Sequence, residues 1–228
     1  MTIDAMVVRE WKEVPRRRDE LLRPFEAPLS PAYSVASKPF ARGWQKDAFA
    51  GTDSEGRDVV VRALRFRADA RTGTLALRDP TSVKRLSRLW QEYAAMEGLR
   101  AHDMPVAPLL AIGSLQGMPA DACLRYVTTT RDREKVEQEA ERLFDEGALA
   151  DLQQVRRLFE SGVVVSDFQA LLRPGAFHVF DAEGVHCPHQ RAGSLAAVGY
   201  RHSTRRQEAV LDWIESVAGV GTAYAWNP

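Results

Sequence analysis

The sequence predicts an α+β fold: three strands, one long helix and two more strands, then a smaller and mostly helical half. Three observations predict it. Residues 33–67 hold three β-type segments joined by a polar turn. A long helical stripe and two further β-type segments follow. Past residue 130 the pattern changes to charged helical segments around a short hairpin. The organisation expected is an extended arm over 1–31, a sheet-bearing part over 32–130 and a reduced helical part over 131–228.

The arm is charged from Arg9 to Arg23 and then carries Pro24, Pro28 and Pro31. Proline at that density opposes a continuous helix. Tyr33–Phe40 reads as the first strand and Gln45–Gly51 as the second. Thr52 to Arg57 is a polar stretch with Gly56, the chemistry of a hairpin turn. Asp58–Leu64 is rich in β-branched residues and reads as the third strand. Asp79-Pro80-Thr81-Ser82 carries helix-start signals. Val83, Leu86, Leu89, Trp90, Tyr93, Met96 and Leu99 then recur at steps of three and four, predicting a helix to about Arg100. Val106–Ile112 and Ala122–Val127 read as strands, with Gly113 and Gly117 between them.

In the second half, Arg131–Glu146 is charged and helical, with a break expected at Gly147. Leu149, Leu152, Val155, Leu158 and Phe159 form a second stripe that ends at Gly162. Val163-Val164-Val165 reads as a short buried strand. Leu171-Leu172 and Phe177–Phe180 flank Pro174-Gly175, a hairpin turn. A last helix is expected over Arg205–Val217, with Trp213 and Ile214 in the core.

Composition narrows the function classes. Lysine plus arginine and aspartate plus glutamate both count 31, so no global field draws the chain to nucleic acid or to an anionic membrane. Two cysteines, Cys123 and Cys187, cannot build a disulfide framework, which suits a reducing compartment. No apolar run is long enough for a membrane span. Met1–Trp11 contains Asp4 and Glu10 and lacks the apolar core of a secretory signal. A cytoplasmic protein of a bacterium with a GC-rich genome is the expectation. Specialised secretion needs no such signal, so delivery into another cell is compatible with this N-terminus.

Three stretches, in order, resemble the protein-kinase-like fold. Asp47-Ala48-Phe49-Ala50-Gly51, the polar turn and Arg57–Ala63 are similar to the second and third strands of a kinase small lobe. Arg62 stands where the phosphate-binding lysine is expected. Trp90-Gln91-Glu92-Tyr93 through Val106–Leu110 is similar to the regulatory helix and the strand after it, with Glu92 as the helix glutamate. Leu158–Asp167 followed by Phe177–Asp181 is similar to the helix, catalytic loop and metal-binding strand.

The resemblance implies a two-lobed fold, with an antiparallel five-stranded N-lobe sheet plus one helix and a truncated helical C-lobe, binding ATP and Mg²⁺. It implies roles for residues in which positioning and charge neutralisation dominate. Arg62 grips phosphates and Glu92 orients it, with Lys46 or Lys38 as neighbouring cations and Glu97 as a competing acid. Asp167 orients or deprotonates the acceptor, and Asp181 holds the metal. Gln169 is the nearest polar substitute where the pattern has its second metal-binding amide, the aligned position being Leu172. The catalytic-loop motif is reduced to Val165-Ser166-Asp167, the metal motif to Asp181-Ala182-Glu183, and the glycine-rich loop to Phe40-Ala41-Arg42-Gly43-Trp44. With a short stretch after Asp181, complete peptide-docking helices are not expected.

These features lead to an atypical nucleotide-dependent transferase acting on a protein, similar to minimal bacterial effector or toxin kinases. The same departures support a second reading, a catalytically inactive pseudokinase serving as adaptor, chaperone or immunity module. His186-Cys187-Pro188-His189 is metal-like in type but lacks a second ligand pair for zinc. Ser166 lacks the glycine-flanked elbow of a hydrolase nucleophile.

Overall fold

The computed structural model describes residues 22–43, 45–65, 80–180, 184–186 and 195–220. The expectations for residues 1–21, Trp44, Asp181 and Cys187–His189 fall outside the described residues. The chain divides into two compact units, Met1–Ala94 with Pro108–Arg125, and Ala95–Ala107 with Tyr126–Pro228.

The first unit is built on β1 (Tyr33–Val35), β2 (Ala41–Arg42), β3 (Lys46–Asp53), β4 (Asp58–Leu64), β5 (Leu109–Leu115) and β6 (Met118–Leu124). Helix α1 (Pro80–Arg100) falls between β4 and β5 in the chain. The sheet order is β1-β3-β4-β6-β5, with β2 also on β3 and each pairing antiparallel. Four strands, a helix and two strands follow one another here, where the sequence predicts three, one and two. The fold is α+β.

Some boundaries differ from those read in the sequence. The first strand splits into β1 and β2. Ala36 and Phe40 still donate to β3, but Pro39 between them has no N–H to give. Gly113 lies inside β5 rather than in a loop. The tight turn is Gln116-Gly117, both at positive φ, joining Leu115 to Met118. Gly113 is needed for another reason: a Cβ there would stand 2.6 Å from the Ala27 carbonyl oxygen. The end of the proline-bearing leader runs along β5 at this point. Ser114 donates to Ala27 and Leu29 donates back to Ser114, at 2.9 and 3.0 Å.

β4 explains why its facing was illegible. Val59, Val61 and Ala63 enter one cluster with Leu29, Phe49, Ala120 and Ala122. Leu64 on the opposite face joins Phe25 of the leader and Leu86, Leu89, Trp90 and Tyr93 of α1. Both faces are covered, so hydrophobicity does not alternate. Phe25 and Leu29 of the leader are each 4% exposed. Burial of side chains this size stabilises by about 1.5–3 kcal/mol each.

The second unit contains β7 (Thr128–Thr129), α2 (Arg133–Gln138), α3 (Ala140–Leu143), α4 (Glu146–Glu160), β8 (Val164–Ser166), β9 (Ala170–Arg173), β10 (Ala176–Val179), β11 (Gly184–His186) and α5 (Leu195–Val217). Its described sheets are β10-β9-β7 and the pair β11-β8. Gly147 does not break a helix; it lies in the first turn of α4. The break precedes it, where Asp145 turns extended and accepts the Ala148 N–H at 3.0 Å. Gly162 does end α4, at φ 96°, with its N–H and that of Val163 capping Phe159 and Leu158. Ala148, Leu152 and Val155 pack from α4 onto Phe177, Val179, Leu211 and Ile214.

Helix α5 begins at Leu195, ten residues before the predicted start. Its buried face runs Ser203, Gln207, Leu211, Ile214, and two of these four are polar. Thr204 also returns its hydroxyl to the Tyr200 carbonyl. The apolar stripe therefore fades before the helix does.

Candidate functional site

Two clusters, one in each unit, hold Lys46, Arg62, Glu92, Asp167 and Gln169 of the residues singled out by sequence. In the first unit, antiparallel register decides the composition. Lys46 opposes Leu64, Ala48 opposes Arg62, and Arg62 opposes Asp121. Cross-strand partners share a face. Lys46, Arg62 and Asp121 therefore share the face of Leu64, which packs on α1. Glu92 and Tyr93 reach them from α1.

Arg62 donates from Nε to Asp121 Oδ1 at 2.6 Å and from Nη2 to Oδ2 at 2.9 Å. Its Nη1 donates to Glu92 Oε1 at 3.2 Å. Lys46 Nζ pairs with Glu92 Oε2. Tyr93 donates its hydroxyl to Asp121 Oδ2 at 2.8 Å. Two cations and two carboxylates thus neutralise one another. Asp121 is 1% exposed and Glu92 is 8% exposed.

Burial opposes charge on Arg62, but the Asp121 and Glu92 carboxylates outweigh it and hold the guanidinium well above its ordinary value. Burial and then Asp121 push the Tyr93 phenol well above its usual range, so it remains a donor. Burial also pushes the neighbouring Cys123 thiol up to about 11. Glu97 pairs with Arg100 rather than joining this network, and Lys38 is exposed.

Asp121 and Tyr93 were missing from the sequence-based site. Asp121 did leave a signal, as the single charged residue in the strand Met118–Leu124.

In the second unit, Asp167 follows β8 at φ 50°, a backbone conformation uncommon for residues with a Cβ. Its Oδ2 accepts from Arg131 Nη2 at 2.7 Å and from Gln169 Nε2 at 3.2 Å. Its Oδ1 faces Arg206 Nη1 at 2.8 Å. Gln169 is buried, and its carbonyl accepts the N–H of Phe180, the residue before Asp181. Helix α5 holds β8 from behind: the fully buried Gln207 accepts the Val165 N–H at 2.7 Å, while its Nε2 has no partner among the described residues. Arg131 and Arg206 had no distinguishing sequence signal.

A separate linkage joins Tyr126 to His178 Nδ1 at 2.6 Å, with His178 Nε2 at 3.5 Å from Asp151. Asp151 also accepts the Phe177 N–H, tying α4 to β10. Burial lowers the His178 pKa, Asp151 opposes that shift and Arg173 reinforces it.

Thus the structure gathers Lys46, Arg62 and Glu92 in the first unit, and Asp167 with Gln169 in the second. Among the described residues no group of three or more His, Cys, Asp or Glu side chains is placed to hold a metal. No helix among them is long and apolar enough to cross a membrane.

No family model matches the sequence, and no curated protein matches it. Among solved structures, the chain is similar to Rio2 kinase of Chaetomium thermophilum in its ADP/Mg²⁺-phosphoaspartate complex. Identity is 18% and the TM-score 0.46, over 86% of this chain and 59% of that one. It is also similar to Cex1p at 12% identity and a TM-score of 0.42, over 79% of this chain and 31% of that one. The chain spans less than two thirds of the length of either.

Proposed function

We propose that the chain is an atypical nucleotide-dependent transferase of kinase-like fold that takes Mg·ATP and modifies a protein, in the manner of a bacterial effector or toxin kinase. One observation carries the reading: a helix glutamate, Glu92, is paired in a buried setting with cations from two sheet strands, Lys46 and Arg62. Phosphoryl transfer depends on cations held in place against negative charge. Arg62 commits three donors to Asp121 and Glu92, so it fixes the glutamate. Glu92 in turn orients the Lys46 ammonium toward nucleotide phosphates.

Asp167 orients the acceptor group, with Gln169 beside it. Asp181 holds Mg²⁺, which supplies charge neutralisation at the phosphates when bound. The test is label transfer to candidate proteins from ATP labelled at the γ or the α phosphate. Transfer of the γ label that is lost in Asp181→Ala supports a kinase, and transfer of the α label supports a nucleotidyltransferase. Undiminished transfer by Asp181→Ala refutes the assignment of that residue.

A second reading, a pseudokinase acting as adaptor, chaperone or immunity module, is favoured by the Asp167 cluster. Asp167 Oδ2 already accepts a charge-assisted hydrogen bond from Arg131, and its Oδ1 is ion-paired with Arg206. This reading predicts a stable protein partner, and a biological effect that survives Asp167→Ala and Asp181→Ala.

A further inference from the structure

Arg131 and Arg206 reach Asp167 from different elements, each braced from behind. Arg131 follows Thr130, whose N–H and hydroxyl both bond Ala170 of β9, at 2.9 and 3.0 Å. Asp132, next in sequence, caps α2 by accepting from the Lys135 N–H. Arg206 precedes Gln207, the buried side chain that grips β8. The tips behave differently from the bases: the Arg131 and Arg206 side chains are 59% and 50% exposed.

Arg131 donates one of its five N–H groups to Asp167, and Arg206 pairs with the same carboxylate through Nη1 alone. No other acid pairs with either side chain among the described residues. Two positive charges thus face one carboxylate, with exposed Arg205 and Arg201 adding positive charge on the same helix. A half-compensated pair of braced guanidiniums matches an anion with more charge than a carboxylate. Two neighbouring oxygens of a phosphoryl group have nearly the spacing of the two carboxylate oxygens. A phosphomonoester also carries about −1.5 to −2 at neutral pH.

We propose that Arg131 and Arg206 form a binding site for a phosphoryl group, with the Asp167 carboxylate as its resting occupant and a phosphomonoester dianion as the ligand that displaces it. Displacement releases both Asp167 oxygens. That consequence rests on the reading of Asp167 as the acid that orients the acceptor; the binding itself does not.

The experiment is calorimetric titration of phenyl phosphate and of a phosphotyrosine peptide into the full chain at pH 7.5, against four variants. Arg131→Gln and Arg206→Gln are expected to weaken binding at least about tenfold, each removing a charge-assisted contact. Arg206→Lys is expected to fall between, since it keeps the charge and loses the fork. Asp167→Asn is expected to tighten binding about five- to tenfold, because the competing charge is gone. This gain cannot come from a misfolded variant. Equal affinity for the two probes makes the phosphoryl group the whole ligand, and tighter peptide binding assigns the site to a phosphorylated protein.

Unchanged affinity in the glutamine variants, or no gain in Asp167→Asn, overturns the proposal. Wild type that binds phenyl phosphate as described but fails to bind Mg·ATP refutes the nucleotide reading alone. Mg·ATP binding without any phenyl phosphate binding refutes this inference alone.

Discussion

Removing Asp121 is the sharpest perturbation of the first unit. Its carboxylate is 1% exposed and accepts three hydrogen bonds, two from Arg62 and one from Tyr93. Asp121→Ala takes two hydrogen bonds from the Arg62 guanidinium, itself 10% exposed at the side chain, and leaves its pair with Glu92. Breaking a buried ion pair from one side costs about 3–5 kcal/mol. The lost Tyr93 hydrogen bond adds about 1 kcal/mol. A domain holds about 5–15 kcal/mol in total, so the variant is expected to lose a large share of its stability. Asp121→Asn keeps the shape and one acceptor and is expected to cost about half as much. Tyr93→Phe removes one neutral donor and is expected to cost about 1 kcal/mol. The assay is urea denaturation with hydrogen exchange on peptides covering 58–64 and 118–124, which reads the first unit locally. A loss below about 1 kcal/mol for Asp121→Ala, with unchanged exchange in those strands, refutes the claim that Asp121 is the buried partner of Arg62 and Tyr93.

Three further outcomes follow. Gly113→Ala is expected to destabilise and to raise exchange at 25–29, because the added methyl meets the Ala27 backbone oxygen at 2.6 Å; unchanged exchange there contradicts the close approach. His178 has a folded pKa below its ordinary 6.5, so the unfolded chain binds its proton first. Its contribution is fully present above about 6.5 and is lost as pH falls through the lowered folded value. His178→Gln should flatten that part of the stability profile, and an unaltered profile refutes the assignment. Cys123, pushed from 9.0 to about 11, should react with a thiol reagent at pH 8 about a hundredfold more slowly than in urea. The measurement uses a Cys187→Ser background, and rapid native labelling contradicts the burial.

Legibility in the sequence followed the physics of each element. The strand Asp58–Leu64 was readable because a polar turn bounds a β-branched run, and the helix to Arg100 because its apolar stripe is unbroken. Glu92 was readable from its place beside that stripe. The direction of Arg62 was not, since both faces of its strand are covered and alternation vanishes. Asp121 was discoverable as an isolated charge in a buried strand, a pattern that demands a partner. Gly113 read as a loop because one sequence does not show that another backbone crosses it. The start of the last helix was hidden by Ser203 and Gln207, polar residues on its buried face. Arg131 and Arg206 were ordinary surface arginines until the fold set them on either side of one carboxylate.

The central claim, that the Lys46–Glu92–Arg62 network serves nucleotide phosphates, is tested most directly by calorimetry of ATP with and without Mg²⁺. Wild type is compared with Glu92→Gln and Lys46→Met. The account predicts Mg²⁺-dependent binding to wild type, weakened at least about tenfold in both variants while each remains folded. Absence of binding to wild type at millimolar ATP, or equal binding by all three proteins, contradicts it.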